Sequence, residues 1–154
     1  MKFAGALILI LSSTGTGLFF SAEVKKKIMI CKDLIRFCDI ILVDFNYKIT
    51  PAVELINSAL NSEEIKHLGF ISEDNVIRKK EVASVLSRSE NEELSRFLYL
   101  LGKSDVKSQK QLVTGFKKYV VKMLEAYNEK FRKEAKIYGT FGFFFACILT
   151  LVWS

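Results

Sequence analysis

Few side chains in this sequence are of a type and spacing that can do chemistry. The single histidine, His67, has no Cys or carboxylate near it at the spacing that metal ligation or acid–base work requires. Cys31 and Cys38 are seven apart on an expected helix, about 10.5 Å by helical rise, too far for a disulfide within one helix. They read as reduced, buried thiols, and Cys147 falls in an uncharged run near the end of the chain. Paired carboxylates occur at Glu63 with Glu64 and at Glu92 with Glu93, both at expected helix starts, where the helix dipole favours acids. Glu129 and Lys133 are an i,i+4 pair on an exposed face, worth about 0.3–0.5 kcal/mol. No Gly-Lys-Ser or Gly-Lys-Thr follows a glycine-rich turn, so a phosphate loop of the Walker type is absent. No enzyme, cofactor, metal or small-molecule substrate is expected on these residues.

The basic balance, net +6, has two readings. Lys25 to Lys27 and Lys130 to Lys136 bracket uncharged runs, where basic side chains orient a chain in a membrane and attract anionic lipid at about 1 kcal/mol each. Arg78, Lys79 and Lys80 with Lys107, Lys110, Lys117 and Lys118 can instead form a patch for an acidic partner or nucleic acid. No aromatic residues interleave with them in sequence as a stacking platform needs, which favours a solvated face and no nucleic acid.

The elements that would hold any function are segregated by charge. Half of the 154 residues are apolar and about a quarter charged, and only one Pro and eight Gly are present, which argues for helices over an all-β fold. Residues 23–136 hold 22 of the 23 basic side chains and all 17 acids, hence net +5, in a length ordinary for one soluble domain. Phe3 to Ala22 is uncharged and spans about 30 Å as a helix, and Ile137 to Trp153 is uncharged and spans about 25 Å. The expected organisation is a transmembrane helix over 1–22, a cytoplasmic helical bundle over 23–136 and a second transmembrane helix over 137–154. A cleaved signal peptide is the alternative for the first run. Against it, apolar character resumes at Leu18, Phe19 and Phe20, no small-x-small site precedes Glu23, and three lysines follow. Small residues four apart, Ser13, Gly17 and Ser21 in the first run and Gly142, Ala146 and Thr150 in the second, are candidates for close packing in lipid.

Within the bundle, Ser104 to Trp153 reads as one helix that begins in water and ends in a bilayer. Val113, Phe116, Val120, Met123 or Leu124, Tyr127 and Phe131 make one apolar stripe, with Lys118, Lys122, Glu125, Glu129 and Lys133 opposite. Val24, Ile28, Cys31, Ile35, Cys38, Leu42 and Phe45, flanked by Ile30, Leu34, Phe37 and Ile41, predict a central helix. Thr50 followed by Pro51 predicts a helix start with Thr50 as cap and Pro51 at its first position, inward residues Val53, Ile56 and Leu60, and an end near Asn61. Ser72 with Glu73 and Asp74 opens a short turn. Ser89 with Glu92 fits a capping box ahead of the face Leu94, Phe97, Leu98 and Leu101. Gly102 then supplies a left-handed stop, and Ser104 caps the final helix with Asp105 in its first turn, making a tight corner.

The order of these elements, with Asn46-Tyr47-Lys48-Ile49-Thr50-Pro51 and Leu101-Gly102-Lys103-Ser104-Asp105 followed by Gln109, resembles stage III sporulation protein AB. Gly5, Thr16-Gly17 and Lys136 to Gly142 also look like that family, over nearly the whole chain, while Leu60 to Glu90 is shorter than its pattern. The resemblance implies a membrane-embedded platform component of a secretion-like channel between mother cell and forespore. It further implies a location in the outer forespore membrane on the mother-cell side and a cytoplasmic domain similar in fold to those of type II secretion platform proteins. Its partners would be a separate ATPase and other membrane proteins. A membrane-tethered basic domain that binds nucleic acid or anionic lipid is the alternative.

Overall fold

The structure, a computed structural model, describes the backbone of residues 2–47 and 51–153, and side chains for 22–46, 51–138 and, within the last helix, 140, 141, 144, 145, 147 and 148. Five helices follow one another: α1 (Lys2–Tyr47), α2 (Ala52–Leu60), α3 (Glu73–Ile77), α4 (Arg88–Lys103) and α5 (Val106–Trp153). No strand occurs among the described residues, so the fold is all-α.

Two very long helices, α1 and α5, make the frame. Lys27 sits over the ring of Tyr127, the Lys117 ammonium binds Asp39, and Lys110 Nζ donates to Asn46 Oδ1 at 3.0 Å. As one partner's number rises the other's falls, so the two helices are antiparallel. The stripes expected from the sequence face each other along this seam. Cys31, Phe37, Cys38 and Ile41 of α1 and Val113 and Val120 of α5 have no exposed surface, while Phe116 and Met123 are buried and Tyr127 half-buried. Each large aliphatic or aromatic side chain so buried contributes about 1.5–3 kcal/mol. The expected first run and first bundle helix are one uninterrupted helix rather than two.

The shorter helices cover this frame. Leu94, Phe97, Leu98 and Leu101 of α4 and Leu55, Ile56 and Ala59 of α2 complete the core. Leu55, Ile56 and Ala59 are the deeply buried residues of α2, whereas Val53 and Leu60 lie half-buried at the edge of the apolar face. Helix α2 ends at Leu60 with Asn61 as its C-cap, as its sequence predicts. Its start differs: Pro51, with φ −55° and ψ 139°, is the cap rather than the first helical residue, and Thr50 lies outside the described residues. Ser72 caps α3, with reciprocal bonds to Asn75.

The capping box of α4 is Ser87 with Glu90, not Ser89 with Glu92. Ser87 N donates to Glu90 Oε2 at 2.8 Å and Glu90 N to Ser87 Oγ at 3.4 Å. Glu90 is the serine-to-acid choice that also reaches the Tyr127 hydroxyl on α5, so a tertiary contact decides between two locally equivalent caps.

Candidate functional site

The corner between α4 and α5 gathers most of the candidate residues. Leu101 is fully buried and Gln109, 7 % exposed, donates from Nε2 to the Leu101 carbonyl at 2.8 Å, tying the first turns of α5 to the last turn of α4. A side chain thus satisfies one of the carbonyls that every helix end leaves without an intrahelical partner. Ser104, with φ −85° and ψ 154°, is the C-cap of α4, and its amide and hydroxyl both donate to the Leu100 carbonyl, at 3.0 and 2.7 Å. It therefore closes α4 rather than capping α5.

Asp105 opens α5. Its carboxyl is held below the usual carboxylate range, first by the Ser108 hydroxyl, against some desolvation, and further by the backbone amides of Ser108 and Lys107. The Gln109 amide returns to the Asp105 carbonyl at 2.8 Å, the first turn of the helix.

Gly102 has a different role from the expected one. It is the second-last residue of α4, and no glycine among the described residues has positive φ, so no left-handed stop exists here. A Cβ at Gly102 would lie 2.8 Å from Val76 Cγ1 and 3.3 Å from the Val76 carbonyl oxygen. The glycine is needed because α3 crosses α4 there almost backbone to backbone.

The Lys110–Asn46 bond brings the end of α1, where the Asn46–Pro51 motif begins, level with this corner. The two stretches that looked most distinctive in sequence thus meet at one end of the molecule, although 64 residues separate Lys110 from Asn46. The Tyr47 side chain and Thr50 lie outside the described residues, as do the side chains of Ser13, Gly17, Gly142 and Ala146. Pro51 is exposed at the start of α2.

Three further groupings were not legible from local pattern. Asp33, 5 % exposed on the inward face of α1, accepts from the amides of Lys66 and His67 at 3.0 and 2.8 Å, and its Oδ2 lies 2.9 Å from His67 Nδ1. Arg36, one turn on, donates to the Glu64 carbonyl at 3.2 Å. The turn-rich segment between α2 and α3 is clamped to α1 this way. Burial pushes the Asp33 carboxyl up, but the two amides and the His67 ring outweigh it and leave it below its ordinary value. The sequence signal was an acid placed between Ile30, Leu34 and Phe37 on an otherwise apolar face.

Glu90 and Tyr127 join α4 to α5 beside Lys27 of α1. Burial, then the Glu90 carboxylate, pushes the Tyr127 hydroxyl well above the ordinary tyrosine range. Cys31 and Cys38 are free and buried, and burial raises both thiols to about 12, which leaves them un-ionised near neutrality.

The third grouping is basic and aromatic: the Lys79 and Lys103 ammoniums lie 5.7 and 4.4 Å from the centroid of the Tyr99 ring. Of the other cations expected to join Arg78 to Lys80, Lys110 and Lys117 turn instead onto Asn46 and Asp39 of α1. The long basic patch imagined from the sequence is thereby broken up.

Among the described residues no three His, Cys, Asp or Glu side chains converge to hold a metal ion, and no helix is long and apolar enough to cross a membrane. The runs Phe3–Ala22 and Ile137–Trp153 both fall in part on residues whose side chains lie outside those described. The large apolar side chains described in the second are exposed: Ile137, Tyr138, Phe141, Phe144 and Ile148 are 44–71 % accessible.

Compared with known proteins, the chain matches the family model described as stage III sporulation protein AB over residues 56–153, from the middle of α2 to the end of α5. The match includes the α4–α5 corner and begins after the Asn46–Pro51 stretch. No curated protein and no solved structure matches the chain.

Proposed function

The chain belongs to the stage III sporulation protein AB family, and from that premise we propose that it is a membrane-embedded, non-enzymatic platform of a sporulation-specific, secretion-like complex. The observation that carries the reading is α5 itself. One helix runs from the buried corner through the α1 seam to five exposed apolar side chains between Ile137 and Ile148. Lys130, Arg132, Lys133 and Lys136, all exposed, precede them, where long basic side chains reach lipid headgroups while their stems stay apolar.

The antiparallel register supports two anchors. Lys27 is level with Tyr127, so the uncharged run that precedes Glu23 and the one that follows Lys136 leave the bundle at the same end. Basic flanks beside both runs favour a bundle on the cytoplasmic side. In this reading the shorter helices brace a stiff two-helix lever, similar in role to the cytoplasmic domains of type II secretion platform proteins. The lever holds or transmits motion from a separate ATPase on the mother-cell side of the outer forespore membrane. The tightly tied corner, with Gln109 and Ser104 satisfying α4's terminal carbonyls, supports a rigid transmitting element rather than a hinge.

Purification of the tagged full chain from membranes of sporulating cells tests this. The reading expects an ATPase and further membrane proteins in stoichiometric company. A chain that purifies alone, or that is released from membranes by alkaline carbonate, contradicts it.

A further inference from the structure

Lys79 has φ 54°, the one non-glycine residue with positive φ among the described residues. Lysine lacks glycine's freedom in this left-handed region. The backbone is held there by Asn75, 3 % exposed, whose Nδ2 donates to the Lys80 carbonyl at 2.9 Å while its Oδ1 accepts from Ser72 N at 2.7 Å. Lys79 follows the C-cap of α3 and is the left-handed residue that stops this helix, and the turn carries its side chain toward α4.

That side chain reaches the Tyr99 ring, which Lys103 approaches from its own helix, and Lys103 Nζ also donates to the Tyr99 hydroxyl. Neither lysine makes an ion pair among the described residues, whereas neighbouring Arg78 is paired with Asp74. Ile77, 58 % exposed, ends α3 immediately before them. Two ammoniums without a carboxylate partner and the tyrosine they frame therefore share one surface near the crossing of α3 over α4 at Gly102, and the exposed Ile77 lies two residues before Lys79 in the chain.

We propose that Ile77, Lys79, Tyr99 and Lys103 form a docking surface for a discrete acidic site on a partner protein. The ammoniums take carboxylates, Tyr99 and Ile77 supply the apolar contact, and the Asn75 lock presets the Lys79 backbone before the partner arrives. A lipid surface is the wrong distance away. Phe97 stacks on Phe116 at 3.9 Å between centroids, which sets Tyr99 near the level of Thr114. From there to Ile137 is about 35 Å of helix, several times the Debye length of about 8 Å at physiological salt. A nucleic-acid backbone fits less well than a protein. Only two ammoniums meet here, with Arg78 taken up by Asp74 and Lys117 by Asp39, whereas a nucleic-acid backbone is held by a run of phosphate contacts. The proposal deepens the platform reading by naming the face a partner takes.

The test uses the full chain in phosphatidylcholine nanodiscs, with a fluorescent peptide of alternating Glu and Leu as probe and a short DNA duplex and phosphatidylglycerol vesicles as competitors. The peptide is expected to bind saturably, and K79E/K103E to weaken it about tenfold, against less than about twofold for the control reversal K118E/K122E. Lys79→Gly, which suits the left-handed backbone, is expected to melt no lower than the unaltered chain yet to lose affinity about threefold. Equal losses in both double reversals, undiminished binding by Lys79→Gly, or preference for DNA or vesicles at equal charge overturns the proposal. The peptide result stands apart from the platform reading. A tagged chain that recovers no ATPase sinks the latter alone, and full recovery by K79E/K103E with peptide binding lost shows that the ATPase sits elsewhere.

Discussion

Replacing Gly102 and Gly115 by alanine, one at a time, separates two roles a helical glycine can have. Both lie inside helices, and in an open helix interior alanine stabilises by about 0.5–1 kcal/mol. At Gly115 a new Cβ meets nothing within 4 Å, so the full gain is expected. At Gly102 it arrives 2.8 Å from Val76 Cγ1 and 3.3 Å from the Val76 carbonyl. Val76 is 2 % exposed and β-branched, so its methyl has one comfortable rotamer and nowhere to turn. Overpacking of this sort costs about 1–3 kcal/mol. Set against the propensity gain, the net is a loss of up to about 2.5 kcal/mol, or up to about 10 °C in melting temperature for a chain of this size. Melting of the full chain in detergent, followed by circular dichroism at 222 nm, reads both variants. The cycle with Val76→Ala removes the clashing methyl, so the double variant should lose about 1 kcal/mol less than the two single losses combined. Stabilisation by Gly102→Ala equal to that by Gly115→Ala would falsify the close crossing of α3 over α4.

Other expectations follow from the tertiary ties. Asp33→Ala strips acceptors from the Lys66 and His67 amides and should cost about 1–3 kcal/mol, with faster hydrogen exchange confined to residues 62–72. The folded Asp33 carboxyl is depressed, so its stabilisation is complete above the unfolded value near ~3.9 and is lost as pH falls through the lower folded value. The acid limb of the stability curve should therefore flatten in Asp33→Ala, and an unchanged limb contradicts the clamp. Tyr127→Phe removes the donor to Glu90 and should cost about 1–2 kcal/mol; it should also remove one late-ionising phenol from an absorbance titration, since burial and Glu90 raise that hydroxyl. Gln109→Leu leaves the Leu101 carbonyl buried without its donor, and a loss of about 1–3 kcal/mol is expected in the same melting assay.

The helices were legible wherever one period dominated. The stripes of α1, α4 and α5 recur every three or four residues, and most of the side chains they mark are buried in the core, with Ile35, Leu42, Phe45 and Tyr127 at its edge. The corner was legible in place but not in cause. A glycine near a helix end reads equally as a left-handed stop or as room for a neighbour, and only the approach of Val76, 26 positions earlier in the chain, decides between them. The α4 cap failed for a similar reason, since Ser87 with Glu90 and Ser89 with Glu92 are identical signals until Tyr127 selects one. Asp33 with His67 and Lys79 with Tyr99 are contacts between elements, and no local rule relates residues 34 or 20 apart. Charge misled in the opposite direction. Lys110 and Lys117 looked like part of a patch with Arg78 to Lys80, yet periodicity on α5 turns them toward acceptors on α1.

Topology is the claim on which the functional account stands: α1 and α5 carry their uncharged ends into one membrane and hold the bundle on its inner side. Impermeant maleimide labelling of single-cysteine chains, Lys118→Cys and Ser154→Cys in a background free of the native thiols, measures it in intact, non-sporulating cells that express the chain in their plasma membrane, whose outer face the reagent reaches. The account predicts labelling at 154 without permeabilisation and at 118 only after it. Labelling at 118 in intact cells, or a chain recovered in the soluble fraction, contradicts it.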